Sequence, residues 1–266
     1  MTQRKFWAAI VASAICCGTA FAQTPAPTPT PTEPTRFEKW RNSRISVYMD
    51  DFGELTRFRE ENARLMPPAD GEKRIVFFGD SITMGWPLAE YFPGRPYINR
   101  GISGQTTAQM LVRFRQDVLA LQPKAVVILA GTNDIAGNTG PTRLEDIEAN
   151  FTSLAELAKM SGVAVVFSSV LPVNNYTPRS QEYFAQRPPE KIVQLNAWLR
   201  AYCAAHGCLY LDYFSAMVDK SGLLQKELAE DGLHPNKAGY KLMAPLAEAA
   251  IAQAVGSKQE EPEPAK

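Results

Sequence analysis

Five short apolar runs, at 74–78, 97–99, 125–130, 163–169 and 209–211, leave this 266-residue chain few folds to choose from. They are dense in valine, isoleucine, leucine and aromatics and show no polar alternation, the signature of strands covered on both faces. Between them the apolar period changes to that of a helix. Leu111, Phe114, Val118 and Leu121 recur at three- and four-residue steps, as do Leu144, Ile147, Phe151, Leu154 and Leu157. The second of these stretches opens on a capping box, Thr142 with Glu145, and Gly162 stands just past its end. Ile192, Leu195, Leu199 and Tyr202 form a further helical stripe, entered through Pro188-Pro189 and stopped by Gly207. A last helix is expected over 236–255, kinked at Pro245. Alternating strands and helices predict an α/β fold, a parallel sheet with helices on both faces.

The ends of the chain are different material. Arg4-Lys5, the apolar stretch 6–20 and Ala20-Phe21-Ala22 predict a signal peptide cleaved after Ala22, and so a periplasmic or secreted protein with no membrane insertion after cleavage. Residues 23–36 are Pro/Thr-rich and predict an extended linker, and 256–266 a disordered charged tail. One domain over 37–255 remains, its first part (37–70) a helical extension suggested by Trp40, Val47, Tyr48, Phe52, Leu55 and Phe58. Asp50 and Asp51 within it read as solvated carboxylates rather than a calcium pair. Cleavage would leave 26 basic against 28 acidic side chains, which gives no electrostatic reason to expect a nucleic-acid partner. Only Cys203 and Cys208 would survive it, and in an oxidising compartment their spacing suggests a small-loop disulfide. A metal site at Cys203, His206 and Cys208 lacks a fourth ligand nearby.

Four polar islands follow the expected strands: Gly79-Asp80-Ser81, Ile102-Ser103-Gly104, Gly131-Thr132-Asn133-Asp134 and Asp231-Gly232-Leu233-His234. Ligands of open α/β sheets bind beyond the carboxyl ends of the strands, so all four fall on one edge. Serine needs an adjacent base, and the base a carboxylate that orients it. The chain has two histidines. His206, at the expected end of a helix, suits a structural role, which leaves His234, with Asp231 three residues before it. Each island alone has an ordinary reading: caps at Asp80 or Ser81, a turn glycine at Gly104, a turn at 131–134. Together they supply the parts of a nucleophilic site. Thr83 stands where a nucleophile elbow needs its second glycine, which argues against the α/β-hydrolase fold.

With the flanking Asn99-Arg100-Gly101 and Pro235, this set resembles the SGNH, or GDSL-type, hydrolases over about 74–250. The resemblance implies a flavodoxin-like three-layer α/β/α sandwich with five parallel strands in the order 2-1-3-4-5. It implies Ser81 as nucleophile, His234 as base and Asp231 as its partner, with the backbone N–H of Ser81 and Gly104 and the amide of Asn133 as oxyanion hole. No cofactor and no metal are required. The expected reaction is hydrolysis of an acyl ester on a small molecule, glycan or lipid. Trp86, Asn174 and Tyr176 are the expected pocket residues, in a lining that suits a short acyl group on a polar alcohol such as a sugar. Two readings stay open beside it: a lysophospholipase or thioesterase, and a catalytically silent carbohydrate- or envelope-binding module. Oligomeric state is not legible.

Overall fold

The computed structural model describes residues 33–256, so the expected signal peptide, most of the linker and the charged tail lie outside the described residues. Five parallel strands, β1 (Ile75–Gly79), β2 (Tyr97–Gly101), β3 (Ala125–Leu129), β4 (Ala164–Ser168) and β5 (Leu209–Leu211), form one sheet in the order β2-β1-β3-β4-β5. The helices, in chain order, are α1 (Arg36–Asp50), α2 (Arg59–Arg64), α3 (Ser81–Met84), α4 (Leu88–Tyr91), α5 (Thr107–Asp117), α6 (Thr132–Ile135), α7 (Leu144–Met160), α8 (Pro178–Gln186), α9 (Pro189–His206), α10 (Tyr213–Met217) and α11 (Lys237–Gly256).

Successive side chains of a strand point to opposite faces, and the core divides accordingly. Val76, Phe78, Val126, Ile128, Val165 and Phe167 pack with Phe114 of α5, Phe151 and Leu154 of α7, and Leu195 and Leu199 of α9. Ile75, Phe77, Val127, Leu129, Val166 and Leu211 pack with Met217 of α10 and Met243, Ala247 and Ile251 of α11. This is the three-layer α/β/α sandwich, and its strand order is the expected one.

Local signals were displaced in two places. α7 begins one residue later than the Thr142–Glu145 box implies. The Thr142 hydroxyl donates backward to the Gly140 carbonyl (3.2 Å), and Asp146 instead accepts from the Arg143 amide and guanidinium. The stripe through Leu121 is also not one helix. α5 stops at Asp117, Val118 leaves helical geometry (φ −128°, ψ −67°), and a separate 3₁₀ turn carries Leu119–Leu121. Val118 and Leu121 stay buried, which is why the apolar period continues past the break.

The N-terminal extension forms α1 and α2, with Thr35 capping α1. No residue of α1 is fully buried; the Phe37 amide donates to Glu182 (2.7 Å), Arg44 pairs with Glu54 (2.8 Å), and the Trp40 ring lies over Gly104. Asp51 accepts the amides of Leu55 and Thr56, a turn-forming role. Cys203 and Cys208, the pair suggested for a small-loop disulfide, face each other with their sulfurs in direct contact and no bond drawn between them. His206 is turned to its own helix, Nδ1 on the Tyr202 carbonyl (2.9 Å) and ring stacked on Tyr202.

Candidate active site

The carboxyl ends of β1, β2 and β3 lead directly into the polar islands. β1 runs out at Gly79, where a Cβ would collide with Thr83 and with the Leu129 carbonyl, so only glycine lets the chain turn so closely past β3. The Gly79 carbonyl accepts from Arg113, a fully buried α5 side chain also bonded to Gln105 and Asp117. Asp80 then caps α3 through the Ile82 amide (2.9 Å), and Ser81 is the first helical residue.

Ser81 Oγ lies 2.9 Å from His234 Nε2, and His234 Nδ1 lies 2.8 Å from Asp231 Oδ2. Asp231 Oδ1 accepts the backbone amides of Leu233 (3.0 Å) and His234 (2.8 Å), so one carboxylate shapes the loop and orients the ring. Burial pushes the Asp231 carboxyl up, but the bonds from the His234 ring and these amides outweigh it and hold it well below the usual carboxylate range. The group is therefore charged wherever His234 can act as a base.

Gly104 sits at φ +78°, and a Cβ there would stand 2.7 Å from the Trp40 ring; its carbonyl is held by Asn138 (2.8 Å). The Asn133 amide nitrogen donates to the Gln105 carbonyl (3.0 Å) and, more loosely, to Asp80 (3.3 Å). Its carbonyl accepts from Arg187 (3.2 Å), which also binds Thr132 (3.0 Å). Asp134 is not free for chemistry: it accepts the Thr107 amide and hydroxyl, tying α6 to α5. Ser81, Gly104, Asn133 and His234 line one cavity of about 250 Å³.

The expected pocket residues lie elsewhere. Trp86 is buried against Phe77, Phe92, Tyr213 and Tyr240, because the chain after α3 folds back onto the sheet. The loop after β4 is buried through Asn174, which bonds the Leu224 carbonyl. Tyr176 bonds Asp219, and both residues face a separate surface depression. The cavity over Ser81 is walled instead by Phe37 and Trp40 of α1 and by Arg179, Tyr183 and Arg187 in and after α8. Sequence reading missed these. Arg179, Tyr183 and Arg187 recur every four residues, a legible one-faced stripe; nothing in the sequence announces that α1 reaches the site.

Asp80 and Asp134 supply a pH signature. Burial pushes both carboxyls up to about 6, against the Ile82 amide on Asp80 and the Thr107 bonds on Asp134. An unfolded aspartate titrates near ~3.9, so between about pH 4 and 6 the native state holds more protons and stability falls as pH rises. Asp80→Asn should remove its share of that fall, on the order of 2 kcal/mol, read as urea midpoints at pH 4.5 and 7. Equal pH slopes in the two proteins would contradict the assignment.

Comparison with known proteins agrees in extent with this geometry. Residues 77–242 match the model of the GDSL-like Lipase/Acylhydrolase family. A solved GDSL-like lipase of Bacteroides thetaiotaomicron is 42% identical, covering 76% of this chain and 99% of that one at a TM-score of 0.71. The uncharacterized lipoprotein YqeF of Bacillus subtilis is 30% identical over 122 residues, 39% of this chain and 50% of that protein's length. An acetylxylan esterase of Geobacillus stearothermophilus is 24% identical over 216 residues, 67% of this chain and 93% of the relative.

Proposed function

The chain belongs to the GDSL-like Lipase/Acylhydrolase family of carboxylic ester hydrolases, and on that premise we propose that it is an exported serine esterase acting through a covalent acyl-enzyme. The observation that carries this reading is the hydrogen-bonded line Ser81–His234–Asp231, with 2.9 and 2.8 Å links, at the mouth of one cavity. In the proposed reaction His234 Nε2 takes the Ser81 proton as Oγ attacks the acyl carbon. Asp231 stabilises the imidazolium, and the Nε2 proton passes to the departing alkoxide oxygen. Water then attacks the acyl-enzyme with the same base, releasing the carboxylic acid and Ser81. Charge developing on the carbonyl oxygen would be met by the amides of Ser81 and Gly104 and by Asn133 Nδ2, whose long bond to Asp80 is the one an oxyanion would replace.

For substrate we propose short-chain, carbohydrate-type O-acyl esters. The cavity of about 250 Å³ is small for a fatty acyl chain, its walls are aromatic and polar, and a relative of similar extent carries the name acetylxylan esterase. Export rests on the positive, apolar and Ala-x-Ala segments of residues 1–22, and the Pro/Thr segment is proposed as a linker to the domain. A fluorophosphonate probe should label Ser81, and p-nitrophenyl esters should be cleaved best at acetate, with turnover falling steeply toward palmitate. No labelling would favour the silent binding module, and a palmitate optimum would favour the lipolytic reading.

A further inference from the structure

α8 is entered through Thr177, which caps it, and Pro178. Arg179, Tyr183 and Arg187, at four-residue spacing, share the side that meets the site. The two guanidinium carbons lie 5.8 and 5.5 Å from the Tyr183 ring centre, and the ring meets His234 edge-on at 6.1 Å. Arg36 of α1 adds a third cation to the same cavity. Glu182 is the one carboxylate in the lining, and it is engaged by the Phe37 amide (2.7 Å).

These cations are only loosely matched by acids: Arg187 feels Asp80 and Asp231 without bonding either, and Arg179 meets Asp231 no closer than 3.8 Å. Arg187 is 3% exposed, yet its bonds go to neutral oxygens: Thr132 Oγ1, Asn133 Oδ1, the Tyr183 carbonyl and Gln186 Oε1. Burial pushes its guanidinium down to about 10, so it is still charged at neutral pH. Arg179 stands half-exposed at the rim, 3.8 Å from an Asp231 carboxylate already bonded to His234. Among the described residues Arg36 has no carboxylate partner. A cavity lined by three cations and one carboxylate that is already engaged focuses positive potential on whatever occupies it. Beside the cations, Phe37 and Trp40 stack at 6.0 Å and 24°, a broad apolar wall.

We propose that the site selects acyl esters whose alcohol is a sugar ring bearing a carboxylate. The ring lies against Phe37 and Trp40, and the carboxylate is taken by Arg179 and Arg36, whose forked donors match it. Arg187, deeper and already bonded, adds field rather than contact. This rests on the esterase reading, and the test separates the two.

The experiment compares kcat/KM of the purified chain for O-acetylated glucuronic acid and O-acetylated glucose, with p-nitrophenyl acetate as an uncharged reporter. The acidic sugar should be favoured about 10-fold at low salt, mainly through KM, and the advantage should shrink as ionic strength rises. Arg179→Gln and Arg36→Gln should each lower that ratio, and the double variant should bring it near one. Taking the ratio within each variant removes any loss of overall turnover. A wild-type ratio of one, or a ratio that both substitutions leave unmoved, overturns the proposal while the esterase reading stands. No hydrolysis of any of the three esters overturns both.

Discussion

Ser81→Ala should lower kcat/KM for p-nitrophenyl acetate by at least about 10⁴-fold while leaving the thermal midpoint nearly unchanged. The change removes one oxygen whose one hydrogen-bond partner among side chains is His234. Ser81 is neither the cap of α3, which is Asp80, nor part of the core, so the fold loses little. Every later step needs a covalent acyl group, so no neighbouring hydroxyl inherits the reaction. His234→Ala should fall as far, because among the described residues His234 is the one basic side chain bonded to Oγ. His206→Ala is the control: it breaks a stack on Tyr202 at the end of α9 and should leave turnover within about two-fold. Steady-state kinetics beside circular dichroism melts decide the matter. Wild-type turnover in Ser81→Ala would remove the nucleophile from the account.

What could be read in the sequence follows from how local each cause is. Buried parallel strands announce themselves as unbroken apolar runs, and all five were found where Val126, Ile128, Val166 and their neighbours demand them. Asp231 and His234 are three residues apart, so the loop geometry joining them is local too. Strand order is not local; it came from family resemblance rather than from pattern. The pocket wall was missed for a related reason. Trp86 and Tyr176 follow strand ends, a position that points to the pocket, yet one turns inward onto Phe77 and the other outward onto Asp219. The actual wall comes from Trp40 and Arg187, brought in by bonds between residues far apart in sequence, such as the Phe37 amide to Glu182 and Arg187 to Thr132 and Asn133. The Thr142–Glu145 box misleads for the opposite reason: a competing local pair, Asp146 on the Arg143 amide and guanidinium, starts the helix one residue later.

Asn133→Ala should reduce kcat by on the order of 10²- to 10³-fold with KM little changed, the usual loss for one oxyanion donor. Its Nδ2 can serve only if the amide is held the right way round, and Arg187 settles that. A guanidinium on Oδ1 (3.2 Å) forbids the flipped amide, which would set NH₂ against a cation, and it draws electron density from the N–H bonds. Thr132 Oγ1 fixes the guanidinium from the other side (3.0 Å). Arg187→Met, similar in length and without donors, should therefore lower kcat by about 10- to 100-fold, again with little change in KM for p-nitrophenyl acetate, whose alcohol carries no carboxylate. Because Arg187 acts on this substrate through Asn133, the two losses should not add: in an Asn133→Ala background, Arg187→Met should cost less than about three-fold. A merely structural arginine predicts the reverse, independent losses that multiply, along with a lowered midpoint in both backgrounds. Arg187→Lys separates charge from geometry, since an ammonium keeps the field but cannot bridge Thr132 and Asn133 as a planar fork does. Recovery of most of the lost kcat in that variant would assign the effect to charge, and no recovery to the orientation of the amide.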